Sequence, residues 1–163
     1  MIPVVSVVGK SNSGKTTLLE KLIGELTRRG RRVVTIKHDA HSFDIDHEGK
    51  DTWRHFQAGA YATLISSPAK FAMVHRVEAE LNLDQLVALL GDDADIVLTE
   101  GYKTAAKPKI EVVRAARSTE PVCELDEIIA LATDLDLDLG VPTFDINDFE
   151  GLCDLIEATY LSD

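Results

Sequence analysis

Gly9-Lys10-Ser11-Asn12-Ser13-Gly14-Lys15-Thr16 reproduces the spacing GxxxxGK[ST] without a gap, directly behind an apolar, β-branched run from Ile2 to Val8. Few patterns restrict a fold so strongly, because this spacing works only as a loop between a strand and a helix. There the glycines let successive N–H groups turn inward around a phosphate, and the helix N-terminus adds its own. The required helix is legible downstream. Leu18, Leu22 and Leu26 recur at four-residue intervals with Leu19 and Ile23 beside them, giving one apolar stripe from about Lys15 to Arg29. Arg28 and Arg29 suit its negative end, and Gly30 is a stop signal. The loop therefore predicts a nucleoside triphosphate site with magnesium. Lys15 reaches the β and γ phosphates, the Thr16 hydroxyl ligates the metal, and Thr17 is placed for the α-phosphate.

The rest of the chain alternates strands and helices. Strand-like runs cover Arg32 to His38, Asp95 to Thr99, Lys109 to Arg114 and Ile128 to Thr133. Tyr61 to Ser66 and Lys70 to Arg76 flank Ser66-Ser67-Pro68 and predict a β-hairpin. Short helices are expected over Lys50 to Ala58 and Leu83 to Leu90. Asn147 followed by Glu150 is a capping-box pattern opening a last helix. The expected class is α/β: a P-loop NTPase with a mainly parallel sheet flanked by helices, as one domain over residues 1–163.

A net charge of -11 disfavours nucleic acid and anionic membrane as partners, so an anionic nucleotide must be held by local features. No apolar run approaches the roughly 18 residues that span a bilayer, and the apolar N-terminus lacks the basic leader of a signal peptide. Cys123 and Cys153 are isolated and read as buried thiols in a reducing, cytoplasmic setting.

A magnesium site of this kind needs a carboxylate at the end of a neighbouring strand. Asp95 and Glu100 stand at opposite ends of one run, about 16 Å apart, so both cannot serve one ion. Ligands gather at the carboxyl ends of parallel strands, which selects Glu100 and leaves Asp95 as a solvated strand start. The same rule brings Lys37-His38-Asp39 to that edge, where Asp39 either holds a magnesium-bound or attacking water or is a plain loop residue. His38, His41, Asp44, Asp46 and His47 have irregular spacing for a transition-metal site.

Over nearly its whole length the chain resembles the MobB family, proteins of molybdopterin-guanine dinucleotide biosynthesis. The resemblance rests on Gly9 to Thr17 (GKSNSGKTT) and Ile36 to Asp46 (IKHDAHSFDID). It continues in Gly49 to Thr52, Arg54, Ala58 to Ala60, Leu98 to Lys103 (LTEGYK), Pro108 to Glu111, Ala132 to Asp134 and Asp145 to Asp148. It implies a GTP-binding accessory protein with at most slow hydrolysis. The implied partners are a MobA-type guanylyltransferase, molybdopterin and a second copy of the chain in a homodimer. The chain has no [NT]KxD guanine motif; Asp134, at the end of a strand, either recognises the base or caps a turn. Lys10 falls where the MinD and nitrogenase-iron-protein subclass carries a lysine that crosses a dimer interface, and is equally a surface lysine. The alternative is a small-molecule kinase or ligase similar to dethiobiotin synthetase. Arg54, Arg114 and Arg117 are too scattered in sequence for the arginine-rich lid such a kinase closes.

Overall fold

Uninterrupted apolar runs make the central strands. β1 (Val4–Val8) is buried at every residue, as a strand with neighbours on both sides must be. It pairs in parallel with β5 (Ile96–Glu100) on one side and β6 (Lys109–Val113) on the other. β2 (Val33–Lys37) lies beyond β5; β7 (Ile128–Thr133) and β8 (Thr143–Asp145) lie beyond β6. The order is β2-β5-β1-β6-β7-β8, with every pairing parallel. The computed structural model describes residues 2–39 and 43–162. The chain divides into two compact units, Met1–His38 with Leu83–Asp163, and Asp39–Asn82.

In the larger unit, α1 (Lys15–Arg28) and α4 (Phe149–Tyr160) pack on one face of the sheet. Leu18, Leu22 and Leu26 of α1 meet Leu152, Cys153 and Ile156 of α4 over Val5, Val7, Ile110 and Ala130. On the other face Leu83 and Val87 of α3 (Leu83–Ala88) cover Val4 and Val97. Arg29 ties the two larger helices together, reaching Glu25 at 2.7 Å, Asp154 at 2.6 Å and Glu157 at 2.9 Å. Hydrogen bonds from Arg28 and Arg29 hold the Glu25 carboxyl down at about 2. Burial pushes the Cys153 thiol up to about 12 and the Cys123 thiol up to about 11.

Three details depart from the sequence expectations. Asp95 is not a solvated strand start. Its carboxylate accepts from the Arg32 backbone N–H at 2.6 Å and pairs with the Arg32 guanidinium at 2.7 Å, fastening the start of β5 to β2. The last helix is capped by Asp148, which accepts from the Gly151 N–H at 3.0 Å. Asn147 is drawn into a turn on Asp145 and accepts from Lys21 instead, which moves the helix start one residue on. β8 is a three-residue edge strand that no run of apolar residues announces.

The smaller unit holds α2 (Asp51–Gln57) and an antiparallel hairpin of β3 (Ala62–Ser66) and β4 (Phe71–His75), as the turn at Ser67-Pro68 predicts. The turn is closed by the Ser67 N–H donating to the Lys70 carbonyl at 2.8 Å. Arg76 lies 4.0 Å from the Phe56 ring centroid and donates to the Phe56 carbonyl at 2.6 Å, joining α2 to the hairpin. Leu64 is 64% exposed and Phe71 74%, with Ile65 and Met73 also largely uncovered.

Candidate nucleotide site

β1 ends against β6 so closely that the chain can leave it only through a residue without a side chain. Gly9 has φ +136°, and a Cβ there would lie 2.5 Å from the Val112 carbonyl oxygen. Gly14, at φ +101°, turns the loop into α1. Between them the Ser13 N–H donates to the Lys10 carbonyl at 3.2 Å. The Lys15 ammonium donates to the carbonyls of Gly9 at 3.2 Å and Lys10 at 2.8 Å, so it arches back over its own loop.

The register of β1 on β5 sets Val7 opposite Glu100, the last residue of β5, which brings that carboxylate to the foot of α1. The Thr16 hydroxyl lies 3.0 and 3.1 Å from the two Glu100 carboxylate oxygens. Thr16 and Glu100 are thus brought together, while Asp95 is engaged at the far end of the strand. A hydroxyl and a carboxylate are hard oxygen donors of the kind magnesium takes, and one or two protein oxygens suffice for an ion that keeps several waters. The donor set fits the metal that the loop implies.

A cleft of about 520 Å³ opens at this edge, lined by Ser11, Asn12, Gly14 through Thr17, Lys37, Glu100 and Arg114. Three cations, Lys15, Lys37 and Arg114, face it against one carboxylate, in a chain whose overall charge is -11. This is the local positive field that an acidic protein needs to hold polyphosphate. A smaller cleft of about 340 Å³ lies where β6 and β7 begin, beside Lys107, Asp126 and Glu127. It is at the amino ends of the strands, and none of its lining residues belongs to the loop of residues 9–16.

Not every expected site residue lines the cleft. Gly9 sits behind the loop, the Lys10 side chain is exposed, and Ser13 is buried with a hydroxyl that has no hydrogen-bond partner among the described residues. Asp39 is exposed, two residues past β2, where the smaller unit begins. Asp134 follows β7 and accepts from the Ala115 N–H at 2.7 Å, with Arg114 Nε 3.7 Å from its other oxygen. Arg114 itself is the lining residue that sequence spacing sets aside as scattered. Its signal is positional: it immediately follows the last residue of β6, at the same carboxyl edge that selects Glu100. His41 lies outside the described residues. Among those described, no three His, Cys, Asp or Glu side chains gather as a metal-holding group. No helix among them is long and apolar enough to cross a membrane.

A family model described as molybdopterin guanine dinucleotide synthesis protein B, MobB, matches residues 4–134, from the start of β1 to just past β7. The chain belongs to the MobB family. Two curated MobB relatives carry the name molybdopterin-guanine dinucleotide biosynthesis adapter protein. The one from Haemophilus influenzae is 39% identical over 158 residues, covering 96% of this chain and 88% of the relative. The one from Escherichia coli K12 is 39% identical over 161 residues, covering 96% and 92%. A crystal structure of molybdopterin-guanine biosynthesis protein B superposes with a TM-score of 0.81 at 32% identity, covering 98% of this chain and 99% of that one. The MobB homologue from Bacillus stearothermophilus gives 0.70 at 27% identity, covering 98% and 99%. The fold is the P-loop NTPase fold of these MobB structures, a six-stranded parallel sheet with helices on both faces and a separate hairpin.

Proposed function

We propose that the chain is a GTP-holding adapter of molybdopterin-guanine dinucleotide biosynthesis, serving a MobA-type guanylyltransferase that joins GMP to molybdopterin. The observation that carries this reading is the contact of Thr16 with Glu100 beneath a complete phosphate loop, in a chain whose relatives are named as adapters of that pathway.

In this reading the inward N–H groups of residues 9–14 surround the β-phosphate. Lys15 exchanges its loop carbonyls for phosphate oxygens, and Thr16 with Glu100 holds magnesium. The metal would neutralise charge between the β and γ oxygens. Asp39 is assigned the metal-bound or attacking water on its place beyond β2 alone. Among the described residues Arg114 is the one arginine that lines the cleft, and the remaining arginines are scattered in the sequence, which supports binding with at most slow hydrolysis. The whole chain, 1–163, is taken as one nucleotide-binding domain acting in the cytoplasm as a homodimer. The uncovered apolar side chains of β3 and β4 support the self-association.

The test is reconstitution with the guanylyltransferase, molybdopterin and GTP, measuring dinucleotide formation with this protein, with its Lys15→Ala variant, and without either. The wild type should raise the yield and the variant should not. Equal stimulation by both would sink the GTP-holding role, and rapid phosphoryl transfer to a small molecule would favour the kinase alternative.

A further inference from the structure

The two flanks of the phosphate loop are chemically different. On the β5 side stand Thr16 and Glu100, whose hard oxygens meet at 3.0 and 3.1 Å and, on the GTP reading above, would hold the metal beside the terminal phosphates. β6 is on the opposite side of β1. On the GTP reading above, a γ end held at β5 would direct the nucleoside end across β1 towards the ends of β6 and β7. Lys37 and Arg114 mark these two extremes. Three strand spacings of about 4.8 Å separate β2 from β6, so their backbones stand roughly 14 Å apart. In that orientation Lys37 would be the cation of the phosphate end and Arg114 that of the nucleoside end.

Arg114 is also held. Asp134 takes the Ala115 N–H at 2.7 Å and places its other oxygen 3.7 Å from Arg114 Nε, so one carboxylate fixes the turn and orients the guanidinium through its inner nitrogen. The two terminal nitrogens make no hydrogen bond among the described residues, and Arg114 lines the cleft. Asp134 binds the backbone through one oxygen and faces Arg114 with the other. The Arg114 fork offers a base two donors.

We infer that Arg114 is the residue that selects guanine, its guanidinium donating to O6 and N7 of the base, and that Asp134 is its positioning residue. This rests on the GTP reading above and supplies the discrimination for which the sequence has no [NT]KxD motif. A guanidinium is donor-only. Guanine presents two acceptors, O6 and N7, along one edge, whereas adenine presents N7 beside an amino donor, so one N–H of the fork would meet another N–H.

The experiment is a titration of GTP, ATP and ITP with magnesium into the wild type, Arg114→Ala, Arg114→Lys and Asp134→Asn. Nucleotide-free melting serves as the control for folding. ITP keeps O6 and N7 but lacks the 2-amino group. The wild type should bind GTP and ITP alike and ATP more weakly. Arg114→Ala should lose about 5- to 100-fold more for GTP and ITP than for ATP. Arg114→Lys should keep the charge yet not restore the GTP-to-ATP ratio, and Asp134→Asn should fall between. An equal loss for GTP and ATP in Arg114→Ala would make Arg114 a phosphate cation and overturn the assignment. ITP binding far below GTP would show that the amino edge is read, which also overturns it. A wild type that prefers GTP and an Arg114→Ala variant that keeps the preference would defeat the inference alone. A wild type indifferent between GTP and ATP would defeat the guanine reading beneath it.

Discussion

The six-stranded sheet and the two-stranded hairpin are built from similar apolar, β-branched sequence and use it in opposite ways. In β1 and β6 every residue is buried, whereas in β4 no residue is, and Leu64 and Ile65 of β3 are exposed. The difference is in neighbours. A strand between two others and beneath helices has somewhere to place both of its faces; a lone hairpin does not, and is marginal by itself in water. The buried core and the cleft at the strand ends therefore belong to the sheet, and exposed apolar surface to the hairpin.

The sharpest way to break this contrast is to shorten one side chain in each region. Leu22→Ala, in the fully buried centre of α1, should cost about 2–5 kcal/mol by urea or thermal unfolding. Lys15→Ala comes next: it should leave nucleotide-free melting unchanged and remove the shift caused by GTP. For the wild type that shift should be about 2.7 kcal/mol at a hundredfold excess over Kd. A residual shift would mean that the sheet edge is not where the nucleotide sits. A smaller effect is expected at Glu25. Its folded pKa, about 2, lies below its unfolded value near 4.3, so its stabilisation is complete above that value and is lost as pH falls towards 2. Melting temperatures of wild type and Glu25→Gln should differ at pH 7 and converge near pH 2; curves that stay parallel would remove the carboxylate from the account. Least of all, Leu64→Ala should change the stability of the single chain, measured at a dilution where no dimer forms, by less than about 0.5 kcal/mol. If it costs as much there as Leu22→Ala, the hairpin's apolar side chains are covered within the chain and the contrast fails.

What could be read from the sequence is what depends on local pattern. The loop, α1 and the hairpin turn carry their geometry in a few adjacent residues, and Glu100 follows from a rule about strand ends. Arg114 did not emerge because a lid is sought as arginines close in sequence, whereas this cleft is assembled from the ends of strands far apart in the chain. Asp95 reads as solvated until the pairing of β2 with β5 puts Arg32 beside it. Asn147 and Asp148 are both good caps. A turn on Asp145 and a lysine from α1 decide between them, and neither contact is visible in the capping pattern.

The position of β1 between β5 and β6 has a consequence for how the protein exchanges its amide hydrogens with water. The N–H groups of a buried strand paired on both edges are released only when the whole sheet opens, while Ser11 and Asn12, a few residues on, are exposed residues of a loop. One short stretch of backbone therefore spans the slowest and the fastest exchange regimes. Deuterium uptake on either side of Gly9 separates capture of a ligand by the loop from any change in the stability of the sheet that carries it.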